Sequence, residues 1–214
     1  MKIYKYAAID IGSNALRLLI SNVIEYEKQT ITLKNSLVRV PIRLGQDAFT
    51  TGTISKKNIK QIVRSMKAFR NLMKVYDVKK YLAFATAALR ESKNGKDVIG
   101  RVKKKSGINI QIIDGKREAQ IISNSNVFEG INSNKTILYV DVGGGSTELS
   151  IIKNKNVLKS ISLKIGTVRL LNNGVDIDTW KKAKWWVTTN TKPYTKISLL
   201  GTGGNINKLH KISN

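Results

Sequence analysis

One stretch of this chain can be laid on another without a gap, and that repeat restricts the fold more than any other feature. Tyr6–Leu18 aligns with Ile137–Leu149. Asp10 falls on Asp141, Gly12 on Gly143 and Leu18 on Leu149, while Arg17 falls on Glu148. A repeat of this kind implies two similar domains, each opening with a strand, a tight turn and a second strand. Both turns are expected to open into one cleft between the domains.

The later copy shows the local chemistry more fully. Tyr139, Val140 and Val142 before the glycines, and Ile151 and Ile152 after them, are strand formers. Gly143, Gly144 and Gly145, followed by Ser146, let the backbone turn tightly and bare several N–H groups at one point, a nest suited to phosphate. Asp141 precedes the turn and Glu148 follows it. Carboxylates beside a phosphate repel it unless they hold a cation such as Mg²⁺, directly or through water. The alternative is a plain glycine hairpin carrying two surface acids. In the earlier copy, Gly12, Ser13 and Asn14 form the turn, and Arg17 takes the place of the second acid.

Between the copies, Ile31–Val40 alternates as a third strand ended by Pro41, and residues 43–53 read as a loop. Ser55 caps a helix running to about Tyr76, with Ile59, Ile62, Val63, Met66, Phe69 and Met73 on its apolar face. Tyr81–Ala85 is a buried strand ending in Thr86-Ala87-Ala88-Leu89-Arg90. Lys93–Lys105 is a strongly basic helix, Ile108–Ile113 a further strand, and Asp114-Gly115 opens a helix through about Phe128. Residues 130–135 read as the joint, giving domains 1–130 and 131–214. Beyond the second hairpin, residues 155–165 form its third strand and Gly166–Leu170 a helical turn. A helix near Asp178–Asn190 carries Trp180, Ala183, Trp186 and Val187 on one side, with Trp185 off that stripe. After Pro193, Ile197–Leu200 is a strand, and Gly201–Asn205, with Gly203 inside it, turns into a last helix. That turn reads either as an anion or nucleoside site or as close helix packing.

Five motifs stand in series: Asp10-x-Gly12-Ser13-Asn14; Thr86–Arg90 with Asn94; Gly115-x-x-Glu118-Ala119; Asp141–Glu148; and Gly166–Leu170. The two hairpins resemble the phosphate loops of the actin-like ATPase superfamily. The whole series, from about Ile3 to about Leu209, resembles the exopolyphosphatase and guanosine pentaphosphate phosphatase family. The resemblance implies an α/β fold of two actin-like (ribonuclease H-like) domains, each a mixed sheet flanked by helices. It also implies that the second domain is shortened relative to the family, leaving apolar surface that a second copy of the chain in a homodimer, or further residues, would cover.

The same resemblance puts the general base at Glu118 and substrate phosphate on Arg90. On the residues alone, Glu118 has two readings: a helix-start acid complementing the positive helix end, or a carboxylate that takes a proton from water. Family members often carry an acid just before this Glu, whereas Lys116 and Arg117 stand here. The phosphate-binding candidates are Gly12, Ser13, Asn14, Arg90, Gly143, Gly144, Gly145 and Ser146. Arg17, Asn94, Arg169 and Gly203 are further candidates, and Asp141 and Glu148 are the candidate Mg²⁺ ligands. The expected substrate is inorganic polyphosphate, or alternatively guanosine pentaphosphate; a polyanion-binding protein without turnover is the third reading.

Composition narrows the chemistry. Cysteine is absent and His210 is the single histidine, so thiolate catalysis, cysteine-ligated zinc and a His-based triad are excluded or disfavoured. No run of about 18 apolar residues occurs, and the N-terminus leads directly into a strand, so a cytoplasmic, non-membrane protein is expected. Lys and Arg number 38 against 14 Asp and Glu, a net charge of +24. Such a surface attracts polyanions, and nucleic acid, polyphosphate or an acidic membrane would all satisfy it; with the resemblance, polyphosphate is the expected partner and nucleic acid a less favoured one. Equally, a general Lys, Asn and Ile bias would produce it; only the distribution in space decides.

Overall fold

The computed structural model describes residues 1–27, 29–123, 135–154, 156–172 and 174–213. The chain divides into two compact units, Met1–Ile112 and Ile113–Asn214. The first contains β1 (Lys2–Ile11), β2 (Leu16–Tyr26), β3 (Gln29–Val40), α1 (Leu44–Thr50), α2 (Lys56–Val75), β4 (Lys80–Ala85), α3 (Ala87–Glu91), α4 (Gly95–Ser106) and β5 (Gln111–Ile112). The second contains α5 (Gly115–Ser123), β6 (Thr136–Val142), β7 (Thr147–Lys153), β8 (Asn156–Leu163), α6 (Thr167–Asn172), α7 (Ile177–Thr191), β9 (Ile197–Thr202) and α8 (Gly204–Ser213).

Each unit is built on a mixed sheet, ordered β3-β2-β1-β4-β5 in the first and β8-β7-β6-β9 in the second. In both, the hairpin and third strand are antiparallel and the next strand joins parallel, β4 on β1 and β9 on β6. The repeat seen in thirteen residues therefore extends through strand, strand, strand, helix, helix, strand and helix. Even the capping repeats: the Ser55 side chain accepts from Asn58 N–H at the start of α2, and Asp176 from Thr179 N–H at the start of α7.

Alternation assigns the cores. In the first unit Ala7, Ile9, Ile11, Leu16, Leu18, Ile20, Ala83 and Ala85 share one sheet face and are buried, as are Ile62, Met66 and Phe69 of α2 and Val98 and Val102 of α4. Each large apolar side chain contributes about 1.5–3 kcal/mol by leaving water. The two helices run side by side. Asn94 at the start of α4 bonds the backbone of Ile54, and Arg70 of α2 donates to Ser106 O at the end of α4. In the second unit Leu149, Ile151, Leu163, Ile165 and Trp186 cluster on one face with Ala183 and Val187 of α7, as the helical stripe predicts. Trp180 and Trp185 are largely exposed.

Three local readings change. The loop of residues 43–53 contains α1, a short helix without a side-chain cap and so without a start signal in its sequence. The strand expected over 108–113 pairs with β4 only at Gln111–Ile112, although Ile108, Ile110 and Ile113 are buried. The units part at Ile112/Ile113, not near residue 130, because α5 packs on β8 and β7. The proposed joint at 130–134 and the end of the helix near Phe128 lie outside the described residues.

Candidate functional site

The two turns are built alike. Gly12 N–H donates to Ala15 O (3.1 Å) and Gly143 N–H to Ser146 O (2.9 Å). Outward from the turns, Asp10 faces Arg17 across β1–β2, and Asp141 faces Glu148 across β6–β7, so the aligned positions occupy the same register. Among the described residues, the N–H groups of Ser13, Asn14, Gly144 and Gly145 have no protein acceptor. Exposed amides gathered on a tight turn are the chemistry of an anion nest.

Their carbonyls are held from behind. Ser13 O accepts from Gly45 N–H (2.7 Å) at the start of α1. Gly143 O accepts from Thr167 N–H (3.1 Å), and Gly144 O from Val168 N–H (2.8 Å) and Arg169 N–H (3.3 Å), all at the start of α6. The Arg169 side chain adds a bond from Nε to Gly145 O (3.0 Å), and Thr147 Oγ1 donates to Ile165 O (2.7 Å). The peptides of the second turn are thereby oriented with their carbonyls towards α6. Gly166 allows the approach: a Cβ there would lie 2.4 Å from Gly144 O, a backbone atom that cannot swing aside. Arg169, taken from the sequence as a phosphate ligand, buttresses the turn through Nε.

The carboxylates of the second unit sit on one face of its sheet. Glu148 is buried, and its Oε1 accepts from Ser146 Oγ (2.6 Å) and Ser162 Oγ (2.9 Å). It thus ties the turn to β8. Asp141 lies between Glu148 on β7 and Thr202 on β9 in register. Gly203 brings its backbone against this strand end: φ is +103°, and a Cβ would meet Val142 O at 2.5 Å and Asp141 Oδ1 at 3.3 Å. Tyr139, two residues before Asp141, shares a 2.6 Å hydrogen bond with Thr202 Oγ1. Burial pushes its phenol up to about 12; the Thr202 bond opposes this, and the charges of Asp141, Glu148 and Glu118 add to it. Those three acids therefore act on one buried ring.

Glu118 stands in the first turn of α5. The cap of that helix is Asp114, whose Oδ1 accepts from Arg117 N–H (2.7 Å), and Glu118 continues the helix through its own N–H to Asp114 O (3.0 Å). The side-chain cap is thus Asp114, while Glu118, in the first turn, still suits the positive end of the helix. Its helix lies on β8, with Gly115 against Ser162, which is bonded to Glu148.

In the first unit Arg17 Nη1 donates to Asp10 Oδ2 (2.6 Å), and both side chains remain nearly half exposed. Crowding by protein atoms pushes the Asp10 carboxyl above its ordinary range, and the Arg17 charge and hydrogen bond pull it back. Arg90 closes the last turn of α3, whose Ala87, Ala88 and Leu89 are buried. Asn94, a further phosphate candidate from the sequence, bonds the protein itself. Its amide accepts from Ile54 N–H (2.8 Å) and donates to Ile54 O (2.9 Å), so both ends hold the preceding loop to α4.

Ser162, Thr202 and Tyr139 were not singled out from the sequence. The signal for Ser162 was present: Ser160 and Ser162 alternate with Ile161 and Leu163, a polar face where a core strand needs none. As to metal, no group of three His, Cys, Asp or Glu among the described residues stands together as a site. Mg²⁺ needs only one or two carboxylates beside water and phosphate oxygens. Asp141 opposite Glu148 fits that smaller donor set.

Residues 27–187 match the model of the Ppx/GppA phosphatase family. The chain belongs to this family. A bifunctional 3-dehydroquinate synthase/phosphatase of Fusobacterium nucleatum is 34% identical over 221 residues, covering 92% of this chain and 32% of its own length. Exopolyphosphatase 1 of Mycobacterium tuberculosis is 27% identical over 171 residues, 78% of this chain and 47% of its own. The chain thus spans 32% and 47% of the length of these two curated relatives. Among solved structures, a Ppx/GppA family member from Aquifex aeolicus superposes with a TM-score of 0.77 at 25% identity, over 99% of this chain and 70% of that one. An exopolyphosphatase from Cytophaga hutchinsonii gives a TM-score of 0.79 at 24% identity over 97% of this chain and 69% of that one, a likeness of fold. The two mixed sheets flanked by helices are the actin-like architecture of these Ppx/GppA structures.

Proposed function

We propose that this chain hydrolyses the terminal phosphoanhydride of inorganic polyphosphate. The observation that carries the reading is the matched pair of turns, each with amides left without protein acceptors and carbonyls fixed from behind. Amides of Gly12–Asn14 in the first unit and of Gly143–Ser146 in the second each offer a cradle for substrate phosphate oxygens, and Arg90 supplies a charge that neutralises phosphate. Glu118 accepts a proton from the attacking water as the water oxygen bonds to phosphorus. The bridging P–O bond breaks, and the shortened chain leaves as a phosphate oxyanion. Asp141 and Glu148 would hold Mg²⁺, directly or through water, and the ion would offset phosphate charge and stabilise the leaving oxygen. Phosphoryl transfer asks mainly for positioning and neutralisation, which turns held in this way supply.

The test is release of free phosphate from long-chain polyphosphate with Mg²⁺, repeated with Glu118→Gln. General-base assistance is worth about a hundredfold or more; an unchanged rate removes Glu118 from the role. Guanosine pentaphosphate, whose 5′ end also presents a terminal phosphate, is tested in the same assay. Competition by guanosine nucleotides would move the reading to that substrate, with Gly201–Asn205 as the nucleoside site. Tight, salt-sensitive binding of polyphosphate without release would move it to a binding protein.

A further inference from the structure

The charge of this chain is concentrated. Helix α2 carries seven lysines and arginines in 20 residues and no acid, and α4 carries five in 12 residues beside Asp97. These two helices thus hold twelve of the chain's 38 basic residues and one of its 14 acids. A uniform compositional bias does not produce that distribution. Between the helices, on their outer side, lies a groove of about 400 Å³. Lys60, Arg64 and Lys67 line it from α2, and Arg101, Lys104 and Lys105 from α4. Its floor is the half-buried pair Ile59 and Val63, and among the described residues no acidic side chain lines it.

We infer that this groove binds the inorganic polyphosphate chain away from its reacting end, an inference that rests on the polyphosphate reading above. Six cations without a counter-charge in one groove repel each other, and a polyanion relieves that repulsion by releasing its own counterions. The side chains follow helical spacing, Lys60, Arg64 and Lys67 at i, i+4, i+7, so they form a continuous rail about 10 Å long on α2. Among the described residues nothing aromatic lines the groove, so they offer no platform for stacking bases, as single-stranded nucleic acid binding normally requires. A chain of phosphates needs only the charges. The groove also connects to the first turn within the same unit. It starts one turn into α2, whose N-terminus is tied to α1 by Asp47, which accepts from Ser55 N–H and Asn58 Nδ2, both at 2.8 Å. Helix α1 in turn holds Ser13 O through Gly45.

The experiment compares two charge reversals of equal size. One carries Lys60→Glu, Arg64→Glu and Lys67→Glu; the other carries Lys181→Glu, Lys182→Glu and Lys184→Glu on the exposed side of α7. Binding of fluorescein-labelled long-chain polyphosphate is read by anisotropy across a salt series, and thermal melting confirms folding. A Lys60→Gln, Arg64→Gln, Lys67→Gln variant serves if the reversal fails to fold. The groove variant is expected to bind at least about tenfold more weakly with a shallower salt dependence, and the α7 variant to change by less than about threefold. In turnover, the groove variant raises KM for long chains and leaves kcat on tripolyphosphate unchanged. Equal weakening in both variants, or no weakening in the groove variant, overturns the site. Wild-type binding that needs the groove but yields no phosphate keeps the site and rejects the hydrolase. Single-stranded RNA of equal phosphate number, bound as tightly and lost with the same substitutions, overturns polyphosphate as the occupant.

Discussion

Glu148 Oε1 accepts a 2.6 Å hydrogen bond from Ser146 Oγ, so the only hydroxyl of the second turn is engaged by a buried carboxylate. The same oxygen takes a second hydroxyl from Ser162 on β8. Glu148 therefore has two separable duties, a structural one through Oε1 and an electrostatic one through its charge.

Glu148→Gln and Glu148→Ala separate them. The Gln side chain keeps a carbonyl oxygen where Oε1 stands, so both serines retain an acceptor and stability changes little. The Ala variant leaves two partly or wholly buried hydroxyls without their acceptor, at about 1–3 kcal/mol each. If the charge serves to hold Mg²⁺, phosphate release falls in both variants. Guanidinium denaturation measures the first effect and the phosphate assay the second; equal loss of stability in Gln and Ala contradicts the arrangement.

Gly166→Ala tests the support beneath the turn. Its new methyl group meets the Gly144 carbonyl at 2.4 Å, so either α6 or the turn must shift. Overpacking of this kind costs about 1–3 kcal/mol. The three N–H bonds from Thr167, Val168 and Arg169 should lengthen together, and anion binding should weaken with them. Ala at Gly100, inside α4 and with nothing within 4 Å of its added Cβ, is the control and should stabilise by about 0.5–1 kcal/mol. Melting temperature and phosphate affinity of the two variants give the comparison.

The repeat made the two hairpins legible because glycine, β-branched residues and a fixed acid mark the same short-range geometry twice. Cap residues Ser55 and Asp176 and the apolar stripe of α2 were equally local signals. What escaped depended on distant neighbours. Asn94 reads as a polar residue near a phosphate motif, yet Ile54, forty positions earlier, takes both ends of its amide. The bond from Arg169 Nε to Gly145 O is likewise one that sequence spacing does not reveal. Helix α5 was assigned to the first domain by its position before the joint, whereas its packing on β8 joins it to the second unit.

Burial and Arg17 act on the protonation of Asp10 in opposite directions. Crowding raises the Asp10 carboxyl, and the 2.6 Å pairing with Arg17 limits the rise. Arg17→Gln removes the positive charge, so Asp10 should titrate higher still. A carboxyl raised in the folded chain binds its proton more tightly there than in the unfolded chain. The stability linked to the protonated form is present below the ordinary carboxylate pKa and is lost as pH climbs through the raised value. The Arg17→Gln variant should show a larger loss over that interval, extended to higher pH. Carboxyl ¹³C titration of Asp10 follows the group itself, and a downward movement in the variant would contradict the pairing.

Tyr139 supplies the opposite end of the pH scale. Its phenol is raised from 10.0 to about 12, first by burial and then by the nearby carboxylates, against the Thr202 bond. In the unfolded chain the phenol ionises at its ordinary value; in the folded chain it stays protonated. The stability this represents is fully present below about pH 10 and is lost as pH rises towards 12, at about 1.4 kcal/mol per unit. Tyr139→Phe has no such group. At neutral pH it should be the less stable protein, because Thr202 loses its partner, a loss of about 0.5–1.5 kcal/mol. Above pH 10 the gap should narrow and then reverse, since only the wild type pays for keeping a phenol neutral. Lysine titration affects both proteins alike and cancels in the difference. Denaturant unfolding of the pair from neutral pH to pH 11 reads that difference directly, and a gap that stays constant would show that the ring is neither buried nor surrounded by acids as described.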